Sequence, residues 1–217
     1  MSTLPNHHLP ESVLLEYASG TLSEAVALLV ATHLALCPLC REFSHHLDAV
    51  GGAILESGEE AIGGGVLDAL LSRLDDAVDE PLPEPVVRYD GVIPMPLRQM
   101  TGPFNDLKWR PVAPGIWKVS LPVFSGGRQG ALVHLRGGLR IPRHQHLGTE
   151  RTLVLAGGFT DEVGAFAPGD LCLRQADDGV HKQFIDRGAP CIALAIDDAT
   201  KAPVSRLGRM VNRLFDA

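Results

Sequence analysis

Residues 32–40 read T-H-L-A-L-C-P-L-C, and the spacing of His33, Cys37 and Cys40 governs how the first half of this 217-residue chain is read. On a helix His33 and Cys37 share one face at i and i+4, and Cys40 lies a further turn along. Three borderline-soft donors converging on one point are what a tetrahedral zinc ion takes. A structural site closes with a fourth protein ligand, whereas a catalytic one leaves that position open. The nearest candidates for the fourth donor are His7 and His8, upstream of the first helix. A C-x-x-C also serves as a redox dithiol or as two buried small residues. A thioredoxin-like motif belongs in a βαβ setting, however, and the accompanying histidines favour a metal.

Helices are predicted on both sides of this stretch. Pro10 opens the first, whose apolar stripe is Val13, Leu14 and Tyr17, and Gly20 ends it. Thr21-Leu-Ser-Glu24 has the form of a capping box for a second helix, in which Val26, Leu29, Val30, His33 and Cys37 recur at spacings of 3 and 4. Pro38 breaks that helix and starts a third, Pro38 to about Glu56, with Leu39, Phe43, Leu47, Val50 and Ile54 on one face. Beyond the glycine-rich hinge at 58–65, Val66, Leu67, Leu70, Leu71 and Leu74 make the broad stripe of a short fourth helix. Such a helix is marginal alone and needs a surface, of this chain or of a partner. A core this small supplies only a few kcal/mol net. A structural zinc contributes about 10 to 16 kcal/mol in peptide systems, enough to decide whether these helices fold.

Charge divides the chain near residue 86. Residues 1–86 carry 14 acidic side chains against two basic ones, Arg41 and Arg73, for a net −12, whereas residues 87–217 carry 17 basic and 12 acidic, for +5. The acidic half argues against direct DNA binding, which needs Lys and Arg on phosphates. It suits a basic partner, including a protein whose own DNA-binding surface is positive. No apolar run reaches the length of a membrane span, and the first residues lack the pattern of a signal peptide, so a cytoplasmic location without membrane contact is expected. Four cysteines, two of them in the metal-like pair, do not make a disulfide framework, and Cys172 and Cys191 read as inert core residues.

Between Asp79 and Pro96 stand Pro81, Pro83, Pro85, Pro94 and Pro96, an extended linker by composition. The texture then changes to short apolar runs between glycines and prolines, 115–121, 130–135, 151–155, 170–174 and 191–196, the pattern of a sandwich or barrel. Pro203 precedes a last amphipathic helix bearing Leu207, Met210, Val211, Leu214 and Phe215 on one side. Within the strand-rich half, residues 138–157 read G-L-R-I-P-R-H-Q-H-L-G-T-E-R-T-L-V-L-A-G. His144 and His146 point to one face of a strand, and a turn at Leu147-Gly148 brings Glu150 back towards them. Two imidazoles and a carboxylate form a donor set for divalent iron, manganese, zinc or nickel, and His181 completes a three-His, one-Glu site in a barrel interior. His45, His46 and His134 are expected to have no metal role.

Gly138, His144, His146, Glu150 and Gly157 match the first cupin motif, G-x5-H-x-H-x3-E-x6-G, at every fixed position. Pro168-Gly169-Asp170 and His181 resemble the second motif, with Asp177-Asp178-Gly179 in place of the usual P-x-G. A zinc-binding helical module followed by a cupin resembles the ChrR-type anti-sigma factors over essentially the entire chain. The matching residues are the upstream His pair, the H-x3-C-x2-C, the intervening A-S-G-T-L-S-E-A and the cupin set. The resemblance implies an all-α zinc-binding domain over residues 1–80, a proline-rich linker over 81–96, and an all-β cupin (double-stranded β-helix, jelly-roll) domain with a C-terminal helix over 97–217. It implies that His8, with His33, Cys37 and Cys40, ligates Zn2+, His7 being the rival for the first place. It further implies a regulatory protein, not an enzyme, that holds an extracytoplasmic-function sigma factor inactive and releases it under oxidative stress such as singlet oxygen or peroxide. A divalent metal in the cupin (Zn2+, Mn2+, Fe2+ or Ni2+) would serve a small-molecule or oxidant signal. Because the outlying zinc ligand is a histidine, the only disulfide open to that set joins Cys37 to its near neighbour Cys40 and constrains little, which favours sensing in the cupin. The competing reading is a cupin metalloenzyme, a dioxygenase or isomerase, with a regulatory helical domain.

Overall fold

Residues 4–58, 63–75, 91–121, 124, 129–146, 148–198 and 201–203 are described by the computed structural model, without the side chains at 74, 75, 129, 146 and 201–203. A helical half of α1 (Glu11–Ala18), α2 (Glu24–Leu36), α3 (Pro38–Glu56), α4 (Val66–Asp75) and α5 (Met95–Thr101) precedes a two-sheet, all-antiparallel half. The expected C-terminal helix and residues 81–90 of the expected linker lie outside the described residues.

The first helix ends by donating Gly20 N–H to the Tyr17 carbonyl and Thr21 N–H to that of Glu16, with Gly20 at φ 69°, a Schellman close. The Thr21 hydroxyl also donates to the Glu16 carbonyl. Thr21 is therefore spent on finishing α1, and the capping box read from Thr21 to Glu24 does not form: α2 begins at Glu24 with Ser23 as its N-cap. Cys37 closes α2 and caps α3, where its Sγ accepts the Cys40 N–H at 3.5 Å; Pro38 fills the first helical position, which needs no N–H. The two helices meet there at a bend of 117°.

One sheet runs in the order β1 (Arg110–Ala113), β2 (Ile116–Ser120), β3 (Gln129–Leu135), β10 (Cys191–Asp197), β5 (Glu150–Ala156), β8 (Leu171–Arg174). The facing sheet runs β11 (Lys201–Pro203), β4 (Arg140–His146), β9 (His181–Ile185), β6 (Phe159–Thr160), β7 (Ala165–Phe166). Between the sheets pack Val154, Phe159, Phe166, Cys172, Ile185, Cys191 and Ala193. The opposite face of the larger sheet is buried as well. Leu132, Leu153, Leu194 and Ile196 join Val26, Leu29 and Val30 of α2 in one core, with Ile93 and Leu97 wedged in beside them. Both faces being covered, β10 is a continuous apolar run, and α2, sheathed by neighbours, is apolar nearly all round. Ile93 is fully buried and Met95 opens α5, which packs on α2, so the end of the proline-rich stretch is structured and not extended linker. Gly157, at φ 69°, is where β5 passes the 190–191 backbone; a Cβ there would stand 2.1 Å from the Pro190 carbonyl oxygen.

Candidate metal centres

Three separate pieces of chain build the first centre: the extended segment before α1 brings His8, the last turn of α2 brings His33, and the α2–α3 corner brings Cys37 and Cys40. Nδ1 of His8 lies 3.3 Å from the Cys37 Sγ and 3.7 Å from the Cys40 Sγ, and one ligand atom from each of the four residues falls within 4.8 Å of the others. A tetrahedron of Zn–S near 2.3 Å and Zn–N near 2.0 Å has edges of about 3.3 to 3.8 Å, and the two distances from His8 fall in that range. His33, Cys37 and Cys40 are buried, and His8 forms the exposed edge. Burial pushes the His33 imidazole down to about 4, and neither ring nitrogen has a hydrogen-bond partner. Burial likewise pushes the Cys40 thiol up to about 11. A neutral imidazole with no partner next to two buried thiols fits a divalent cation, which takes imidazole lone pairs and thiolates.

His7, the rival, points elsewhere. Its ring packs on Phe166 with centroids 4.4 Å apart, and its Nδ1 is 3.4 Å from the Asp170 carboxylate.

Opposed strands build the second centre. His144 on β4 stands across from His181 on β9, their rings 4.3 Å apart, and Glu150 opens β5 opposite Arg174 of β8. Ligand atoms of His144, Glu150 and His181 lie within 4.8 Å of one another, all three side chains buried. His146 is on β4 two residues from His144, but its side chain lies outside the described residues. Nδ1 of His144 is 3.0 Å from the Pro142 carbonyl, an acceptor only, so Nδ1 carries the proton and Nε2 is the nitrogen that would face a metal. Two imidazoles and a carboxylate at the end of a barrel fit a divalent metal with further positions open.

Sequence reasoning passed over the residues behind these ligands. Asp161 Oδ2 lies 3.8 Å from His181 Nδ1 and accepts a hydrogen bond from Arg174, the two side chains almost wholly buried. Its local signal is that of an ordinary turn, accepting the Val163 N–H, and nothing in the sequence links it to Arg174. Asp161 also borders a cleft of about 450 Å3 with Arg140, Lys182 and Phe184. His45 and His46 are exposed on α3, and His134 sits edge-on between Trp109 and Trp117. Cys172 and Cys191 are buried free thiols, both pushed up to about 12 by burial. No single helix among the described residues is long and apolar enough to cross a membrane.

Comparison with known proteins gives the same two-part reading. Residues 98–195 match the family model described as the ChrR Cupin-like domain. Over 213 residues, 96% of this chain and 97% of the relative, the sequence is 39% identical to the anti-sigma-E factor ChrR of Cereibacter sphaeroides. The fold is similar, at TM-score 0.74 and 36% identity, to a chain in the crystal structure of Rhodobacter sphaeroides SigE in complex with the anti-sigma ChrR, covering 89% of this chain and 99% of that one.

Proposed function

Because the chain belongs to the ChrR family of anti-sigma factors, we propose that it holds an extracytoplasmic-function sigma factor inactive and releases it under oxidative stress, from singlet oxygen or peroxide. The observation that carries this reading is an apolar surface on the acidic half. Val50, Ile54 and Leu55 on the second half of α3 and Val66, Leu67, Leu70 and Leu71 on α4 are all exposed, Leu55 to 80% and Leu67 to 67%. Burying such side chains is worth roughly 25 cal/mol per Å2, and a partner that covers both helices collects that term. The surrounding charge suits a basic partner, and a relative's complex with SigE supplies its class.

Labour divides between the centres. Zinc held by His8, His33, Cys37 and Cys40 staples α1 to α3 into the shape that presents the apolar faces. A divalent metal at His144, His146, Glu150 and His181 is the point where the signal acts, and it shifts binding only as far as it discriminates between partner-bound and released states. The role is regulatory and cytoplasmic, without direct DNA binding. A metalloenzyme reading would draw on the cleft beside Asp161 and is tested by turnover of a bound small molecule.

Co-expression with a candidate sigma factor decides between these. The sigma factor co-purifies with the parent and with His144→Ala/Glu150→Ala, and binding falls more than tenfold, about 1.4 kcal/mol, in Leu67→Asp/Leu71→Asp. Under singlet oxygen it leaves the parent but stays on His144→Ala/Glu150→Ala. No stable partner under any condition defeats the anti-sigma reading, and unchanged release in the double variant defeats sensing at the cupin.

A further inference from the structure

The cupin half grips the N-terminal metal centre from behind. Asp170 is fully buried, and its Oδ1 accepts the backbone N–H of Asn6 at 2.6 Å and of His7 at 2.8 Å, while Oδ2 accepts the Ala167 N–H at 2.8 Å. Leu171 N–H returns the contact by donating to the His7 carbonyl at 3.1 Å. The segment that delivers His8 is thus tied, one residue before the ligand, to the turn Pro168-Gly169-Asp170. That turn is pressed against both sides of the site: Gly169 has φ +91°, and a Cβ there would come within 2.6 Å of Pro5 and 3.6 Å of Leu36. At the far end of the four-residue strand that follows, Arg174 donates to Asp161 beside His181.

We propose that Asp170 is a positioning residue of the N-terminal metal centre: its carboxylate, fixed in the cupin turn, holds the Asn6–His7 backbone so that His8 meets Cys37 and Cys40. The retention of that metal is then a property of both halves together, and β8 joins the surroundings of the two centres. This rests on the reading of His8, His33, Cys37 and Cys40 as one metal site. It gives the proposed cupin signal a physical route to the surface that binds the partner. A residue holding a ligand in place in this way is worth 10- to 100-fold in metal affinity at characterised sites.

The test uses the full chain with cobalt(II) in place of the native metal. Thiolate-to-cobalt charge-transfer absorption reports only the centre with Cys37 and Cys40, because Cys172 and Cys191 lie in the core of the strand half. With excess EDTA, Asp170→Ala is expected to lose that absorption at least 10-fold faster than the parent, with its band shape altered because His8 no longer holds its angle. Asp170→Asn, which keeps the shape and one accepting oxygen, is expected to fall between and serves if Asp170→Ala does not fold. Equal rates within twofold and unchanged spectra in the folded variants overturn the proposal. That failure is separate from failure of the anti-sigma reading: a parent that still co-purifies with its sigma factor keeps the latter, whatever the EDTA rates show.

Discussion

The two candidate metal centres are assembled in opposite ways. In the strand half the donors are set by register: His144 faces His181 across β4 and β9, and Glu150 heads a strand paired along its length with β10 and, over Glu150 to Leu153, with β8. Backbone pairing alone sets where these side chains stand on the sheets. In the helical half His8, His33, Cys37 and Cys40 come from an extended segment, a helix end and a helix corner, brought together by the packing of Leu9, Leu14, Val26 and Leu29 and by the Asp170 turn, with no strand register to set them. A preformed site can exchange or lose its ion and keep its shape, which suits a sensor. A site that organises its own surroundings suits a staple.

The widest gap between the two is expected on ligand removal. Cys37→Ala should lose part of the helical signal, chiefly that of α1 and α3, and weaken partner binding, while α2 stays held against the sheet; in zinc-finger peptides, which lack such a core, the metal is worth about 10 to 16 kcal/mol. His144→Ala should keep the far-UV circular dichroism and melting transition of the parent. A Cys37→Ala protein with parental helicity would erase the distinction.

Thiol chemistry sharpens it at smaller scale. After chelation, alkylation at pH 8 should reach Cys37 and Cys40 as the helices loosen, whereas Cys172 and Cys191, raised to about 12 by burial, should react only on full unfolding. Mass spectrometry counting two adducts before denaturant and four after is the expected result.

The smallest effect belongs to a residue outside both centres. Burial lowers the pKa of His134 from 6.5, so below about pH 6.5 the unfolded chain binds more protons there than the folded one. Its contribution to stability is full above that pH and is lost as pH falls through the lowered value. A whole proton would give about 1.4 kcal/mol per pH unit, and the partly buried ring should give a fraction of that. His134→Phe should flatten the fall of urea midpoints below pH 6.5 relative to the parent.

Much of this was legible in the sequence because the decisive signals are local. Helical spacing brings His33, Cys37 and Cys40 together, and the apolar run 191–196 is a strand covered on both faces. What was not legible depends on distant partners. The stripe of α3 is periodic, but period does not say whether this chain or another covers Val50 and Ile54. Thr21 looked like the start of α2 because the pattern holds no record that its N–H was already committed to Glu16. Met95 to Thr101 was hidden by its prolines, and only the pocket between α2 and the sheet makes a helix of it. Asp170 was visible as a turn residue, but its grip on Asn6 and His7 spans more than 160 positions.

The shared oil seam of Val26, Leu29 and Val30 against Leu153, Leu194 and Ile196 has a consequence. Halves joined by a loose tether could swing apart by degrees, whereas halves sharing an apolar core separate only when much of it is exposed together. Each molecule would then be either closed or open, and a growing insult would change how many are open, not how far each one opens.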